Sequence, residues 1–236
     1  MVNERTISLC MVVWNSSELC ERAVASVKSI VDEIVIIDQG SEELHSGKLK
    51  SLADLYLKTT NKGNADFDRQ YCYSLATKDY ILAMDADEVI TPENLVLFSK
   101  AMSYNFDVMW FQFLNKVLHK DKVVDLEKYM KNDPHPRLWK RIIERDGMKA
   151  SPVLWPQQAH EFPKIASARQ LFCECYFDHI RNLSDIIRTH LHRAKNIDQG
   201  AQEIEKNFVR TVLNEFGLET KKEMVTEFPE LAGYLR

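Results

Sequence analysis

The first half of the chain changes its apolar period in a regular way. Thr6 to Val13 is almost unbroken apolar sequence and predicts a buried strand. Ser17 to Ile30 then spaces Leu19, Ala23, Val27 and Ile30 along one helical face, with Asn15 and Glu18 at capping-box spacing before it. Glu33 to Asp38 predicts a second strand, residues 43–52 a weaker helix, and Asp54 to Leu57 a short strand. A helix over residues 66–76 leads to the apolar strand Tyr80 to Met84. Thr91-Pro92-Glu93 has the N-cap, first-turn proline and early acid of a helix start, and this helix is expected to run to about Ser103. An aromatic strand, Asp107 to Leu114, follows. Such alternation implies an α/β fold with a mainly parallel central sheet and helices on both faces.

The second half is less periodic. Residues 115–165 hold five of the seven prolines and two of the four tryptophans, as in segments that wrap a scaffold and shape a site. From Asp198 a helix is expected to about Phe216, with Ala201, Ile204, Phe208 and Val212 on its apolar face and Gly217 as its stop. No repeat, low-complexity tract or linker interrupts the chain. The expectation is one domain over residues 1–236, with a ligand-binding half to about residue 114 and a helical, irregular half beyond it.

Composition narrows the classes. The apolar share of 45% and the charged share of 28% are those of an ordinary globular chain, and the net charge of -4 gives no field for nucleic acid. No apolar run approaches the roughly 18 residues of a membrane span. MVNERTISLCMVVWN lacks the apolar core and cleavage site of a signal peptide, so a cytoplasmic chain is expected. The five cysteines include no C-x-x-C spacing and read as buried free thiols, although Cys173-Glu174-Cys175 alternates as a strand would and could also bind metal.

The chemistry is suggested by acids at strand ends. Asp85, Asp87 and Glu88 follow Tyr80–Met84 directly, and neither strand packing nor the Thr91 cap accounts for them. In open parallel sheets, ligands bind beyond the carboxyl ends of the strands, where Asp38 would join these acids. Clustered carboxylates repel and resist desolvation unless something compensates. A hard divalent cation with oxygen ligands is the simplest compensation, and it would in turn bind a polyphosphate. The alternative is a solvated loop that caps the next helix.

Taken in order, ISLCMVVWN, VDEIVIIDQGS and DYILAMDADEV resemble three blocks of the family 2 glycosyltransferases with the GT-A fold, Rossmann-like in its sheet. The branch most similar contains small bacterial enzymes of lipopolysaccharide and surface-polysaccharide assembly. FDRQYCYSLATKDYILAMDADE, HPRLWKR and the later AHEF resemble further elements of that branch, so the likeness covers roughly residues 6–165. The chain departs from it in having Trp14-Asn15-Ser16 for Lys-Asn-Glu, Glu42-Glu43 after Gly40-Ser41 for Thr-Asp, and Gln70 for Asn after Arg69.

The resemblance implies metal-dependent, inverting transfer of a sugar from a nucleotide-diphosphate donor to a hydroxyl of a saccharide or glycolipid. It implies Asn15, Asp38, Arg69 and Asp85 around the donor, and Asp85 and Asp87 on Mn2+ or Mg2+. His179 stands where relatives carry a histidine that completes the metal or diphosphate site; the alternative is an ordinary structural histidine. Arg137 suits bidentate phosphate binding, or a solvated basic face with Lys140 and Arg141. Glu161 is the candidate base with His160 as its orienter, against a surface carboxylate. Peripheral contact with the inner face of a membrane fits a glycolipid acceptor. Competing readings are a nucleotidyltransferase, which lacks support because no glycine-rich loop follows the first strand, and an inactive nucleotide-sugar-binding module.

Overall fold

Strand β1 (Ile7–Val13) lies at the centre of a parallel quartet with β2 (Glu33–Asp38), β3 (Leu55–Lys58) and β4 (Tyr80–Ala83), in the order β3-β2-β1-β4. Register pairs Val13 with Asp38, Asp38 with Lys58 and Cys10 with Ala83, so the carboxyl ends of these strands lie along one edge. The computed structural model describes residues 5–62, 64–126, 134–145, 147–156, 163–166, 168–184, 186–187 and 199–233.

The connections are helices, α1 (Ser17–Val27), α2 (Glu43–Leu52) and α3 (Asp66–Leu75). Alternation along β1 sends Leu9, Met11 and Val13 to a core shared with α1 and α2, and Cys10 and Val12 to a core shared with Cys72 and Tyr73 of α3. Helices thus cover both faces of the sheet. Two local expectations change. Helix α1 buries Cys20, Ala23, Val24 and Val27, a stripe rotated from the expected Leu19-to-Ile30 face. Its N-cap is Ser16 without a side-chain cap bond, so the Asn15–Glu18 capping box does not form.

After β4 come β5 (Glu88–Val89) and α4 (Pro92–Ala101), where Thr91 caps as expected by accepting from the Asn94 backbone N–H. The aromatic strand is β6 (Val108–His119), followed by β7 (Lys122–Asp125) and β8 (His135–Lys140). The alternation leads one to expect a mainly parallel sheet. Here β8 lies between β4 and β6 and is antiparallel to both. The reason is its sequence: Pro136 to Trp139 are buried in succession, which suits a strand covered on both faces. Beyond β8, the segment to residue 165 that reads as weakly periodic holds β9 (Ile143–Arg145), β10 (Met148–Ala150), β11 (Val153–Leu154) and β12 (Lys164–Ile165), and the long β13 (Gln170–Asn182) follows, including the alternating Cys173-Glu174-Cys175. The main sheet runs β3-β2-β1-β4-β8-β6-β13-β5, with β7 on β6.

Two compact units emerge, Met1–Phe113 with Asp133–Asp178, and Leu114–Asn132 with His179–Arg236. The second has its own core, in which Val117, Val124 and Leu126 meet Val209, Val212 and Leu213 of α5 (Gln199–Glu215) and Met224 of α6 (Lys221–Glu227). Phe208 packs against this core, while the side chains of Ala201 and Ile204 lie outside the described residues. Gly217, at φ 79°, ends α5 as expected, and the Leu218 N–H returns to the Leu213 carbonyl at 3.1 Å.

Candidate active site

The acidic stretch after β4 is a tight turn. The Glu88 N–H donates to the Asp85 carbonyl at 3.1 Å, and the Glu88 carboxylate accepts from the Asp85 N–H at 3.0 Å. These reciprocal bonds close a four-residue turn with Ala86 and Asp87 at its corner. Two arginines hold it. Arg69 of α3 donates to Asp85 Oδ1 at 2.6 Å and to Asp66 at 2.9 Å, with its guanidinium 5.0 Å from the Trp155 ring centre. Arg137 of β8 donates to Asp85 Oδ2 at 3.1 Å and to the buried carboxylate of Glu88. Both guanidiniums are buried. Burial alone would lower the pKa of each, but Asp85 for Arg69, and Glu88 with Asp85 for Arg137, raise it above its ordinary value.

The antiparallel insertion explains how residues 52 positions apart meet. Because β8 runs against β4, with Leu138 opposite Leu82, its beginning lies at the carboxyl end of β4. The HPRLW segment is therefore delivered to the acidic turn. Compensation of Asp85 and Glu88, which the sequence reading assigned to a cation bound from outside, comes in this structure from the chain's own arginines. The basic face proposed for Arg137 does not form at that residue, which is buried with its guanidinium 5.2 Å from the Phe113 ring centre.

A second cluster forms at the end of β2. Asp38 is 0% exposed and accepts from the Ser41 N–H at 2.7 Å, Ser46 Oγ at 2.7 Å and the Tyr56 hydroxyl at 2.6 Å. Burial raises its pKa, and the hydrogen bonds from Ser41, Tyr56 and Ser46 outweigh that effect and hold it below the usual carboxylate range. Asn15 joins two loops: its N–H donates to Ser41 Oγ at 2.8 Å and its Oδ1 accepts from the Glu42 N–H at 2.9 Å. This bridge takes the side chain away from the cap of α1. Gly40, at φ 76°, is required here, since a Cβ would stand 3.2 Å from the Thr59 carbonyl oxygen. Beside it the Gln39 side chain and Lys62 both donate to Asp68.

Of the residues singled out in the sequence, Arg69, Asp85 and Arg137 thus share one network, with Asp87 on the turn it fixes. Asn15 and Asp38 belong to the neighbouring cluster at the same sheet edge. His179 is in β13 and belongs to the second unit, with its Nδ1 2.9 Å from Asn115 Oδ1. His160 and Glu161 lie outside the described residues. Sequence reading missed Asp66, Trp155, Tyr56, Ser46 and Asp68. Asp66 had a usable signal, an acid one helical turn before Arg69. Among the described residues no group of three or more His, Cys, Asp or Glu side chains is arranged to hold a metal ion.

Over residues 8–157 the sequence matches the family described as Glycosyl transferase family 2. A TPR repeat-containing protein of Synechococcus elongatus is 36% identical over 87 residues, which are 37% of this chain and 22% of that protein's length. Among solved structures, S. aureus TarS 1–349 in complex with UDP aligns with 97% of this chain and 74% of its own, at 14% identity and a TM-score of 0.49. Glucosyl-3-phosphoglycerate synthase from Mycobacterium tuberculosis, solved with Mn2+ and UDP-glucose, aligns with 47% of this chain and 44% of its own, at 16% identity and a TM-score of 0.36.

Proposed function

The chain belongs to glycosyl transferase family 2, and on that premise we propose that it moves a sugar, with inversion, from a nucleotide-diphosphate donor to a hydroxyl of a saccharide or glycolipid. The observation that carries the reading is the turn Asp85–Glu88, held by Arg69 and Arg137 at the carboxyl edge of the parallel quartet. Asp85 and Glu88 build that turn. Asp87, at its corner, is the carboxylate we assign to chemistry.

The donor set suits a divalent cation of modest demand. Mg2+-type sites on phosphorylated substrates commonly use one or two carboxylates, and substrate oxygens and water complete the coordination. Asp87 would hold Mn2+ or Mg2+, and Asp85 would orient the turn beneath it. When bound, the cation would stabilise charge on the departing diphosphate. Asp38 and Asn15, which shape the loops after β2 and β1, are assigned to the nucleoside side of the donor. Arg69 and Arg137 act as positioning residues for the turn. Inversion requires a base on the face opposite the leaving group; Glu161 with His160 remains the candidate carried from the sequence. The same reading puts the chain in the cytoplasm, with a glycolipid acceptor at the inner membrane face. No helix among the described residues is long and apolar enough to cross a membrane.

A panel of nucleotide sugars with Mn2+ or Mg2+, followed by donor turnover and thermal stabilisation, tests the proposal. One donor should raise the melting temperature and be consumed only with metal. Response to a nucleoside triphosphate with a sugar 1-phosphate, and to no nucleotide sugar, would instead identify a nucleotidyltransferase. Silence across the panel would leave a non-catalytic module.

A further inference from the structure

Cys173 and Cys175 project to the same face of β13, and their sulfurs lie 3.0 Å apart. A disulfide bond is about 2.05 Å long, so the pair is close to bonding distance without being bonded. The other three cysteines, Cys10, Cys20 and Cys72, are free and buried. Cys173 differs from them in its surroundings. It is 8% exposed and lines a cavity of about 250 Å³ together with Leu97, Lys100 and Ala101 of α4, whereas Cys175 behind it is 0% exposed. The asymmetry extends to the thiols. The Cys175 thiol and, after the opposing effect of burial, the Cys175 N–H hold the Cys173 pKa below its ordinary value, while the same contact and burial push Cys175 up. One sulfur thus borders the cavity and is inclined to ionise, and the other, fully buried, holds its proton more tightly beside it.

We propose that Cys173 and Cys175 are a reversible dithiol modification site, oxidised to an intrastrand disulfide by a peroxide entering through this cavity. The Cys173 thiolate attacks one peroxide oxygen, the O–O bond breaks, and the leaving oxygen departs as water once protonated, which leaves a sulfenic acid. The Cys175 sulfur then attacks the Cys173 sulfur, the S–O bond breaks, and a second water leaves with the Cys175 proton. Two electrons pass from the two thiols to one peroxide. Two residues of extended strand span about 6.6 Å, near the upper limit of roughly 6.8 Å for bridged Cα atoms. Closure therefore draws β13 inward, and the bond is readily reduced. Two thiolates alone would give a zinc ion only about half its usual four ligands, so the geometry favours oxidation over metal capture.

The location gives the modification a consequence. Strand β13 pairs with β5, which continues directly from the Asp85–Glu88 turn, and the Tyr176 N–H donates to Asn94 in the first turn of α4 at 2.9 Å. Contraction at residues 173–175 is transmitted to the strand that anchors the acidic turn. Its effect on turnover rests on the function proposed above.

The pair lies within one tryptic peptide, residues 170–181, so the test is direct. Native protein is treated with hydrogen peroxide near stoichiometry, alkylated after denaturation, digested and weighed. The expected product is an unalkylated peptide two hydrogens lighter, returned to its dialkylated form by prior dithiothreitol. In Cys175→Ser, Cys173 should instead be trapped as a sulfenic acid by dimedone. Recovery of the dialkylated peptide from peroxide-treated protein, or oxidation of Cys10, Cys20 or Cys72 at the same rate as Cys173, overturns the proposal. Donor turnover is followed in parallel: a disulfide that forms in a protein inactive under both conditions would count against the transferase reading and leave the modification standing.

Discussion

Asp38 and Glu88 are both carboxylates buried beside the parallel quartet, and they are stabilised by opposite means. Asp38 is surrounded by neutral donors, the Ser41 N–H and the hydroxyls of Ser46 and Tyr56, while the Lys58 ammonium donates to Ser46. Glu88 pairs with the guanidinium of Arg137, which is itself buried and shared with Asp85. A set of neutral hydrogen bonds tolerates the loss of one member, because the others still solvate the charge. An ion pair does not, since removal of one partner leaves the other as an uncompensated buried charge. The two clusters should therefore fail differently.

The largest effect is expected at Arg137. Arg137→Ala should destabilise the fold by about 3–5 kcal/mol, the usual cost of orphaning one member of a buried pair, read as a lower urea midpoint. Arg137→Met combined with Glu88→Leu should recover part of that loss. A single variant within about 1 kcal/mol of the parent would mean that the pair does not hold the turn.

Asp87 sharpens the comparison from the other side, as the carboxylate assigned to chemistry rather than construction. Asp87→Asn should lower metal-dependent donor turnover by about 10²-fold or more, with the urea midpoint unchanged. Loss of stability together with activity would return Asp87 to the structural group.

Smaller effects belong to the Asp38 cluster. Tyr56→Phe removes one of its hydrogen bonds and should cost about 1 kcal/mol, well below the Arg137 variant. A cost equal to that of Arg137→Ala would erase the distinction between the clusters. The smallest effect is a pH dependence. Hydrogen bonds from Ser41, Tyr56 and Ser46 outweigh burial and set the folded pKa of Asp38 below its unfolded value. Its contribution is therefore fully present above the ordinary carboxylate value of about 3.9, and it is lost as pH falls through the folded value. In Tyr56→Phe that loss should begin at higher pH, as urea midpoints measured through the acid limb will show.

What sequence reading recovered was local in origin. The bounds of β2 and α2, the Thr91 cap and the Gly217 stop depend on neighbours within a few residues, and all were legible. The strand ends bearing Asp38 and Asp85 followed from the same periodicity. The pairing of Asp85 did not, because Arg137 is 52 positions away and reaches it only through the antiparallel insertion of β8. Strand periodicity is the same for parallel and antiparallel neighbours, so it could not show that insertion. Nor could composition mark the boundary between the two units, two of whose three crossings fall inside the continuous strands β6 and β13. Asn15 misled for a related reason: capping-box spacing was present, but a loop contact with Glu42 took the side chain.

The insertion of β8 also orders the events of folding. Local strand-helix units can bring β1 to β4 together early, at low loop-closure cost. The edge of β4 is then open, and Asp85 and Glu88 lack one of their cations until residues 135–140 close a loop of some fifty residues onto that edge. Assembly of the acidic turn is thus a late event by topology. On a growing chain, the segment that completes the turn is synthesised well after the residues that form it.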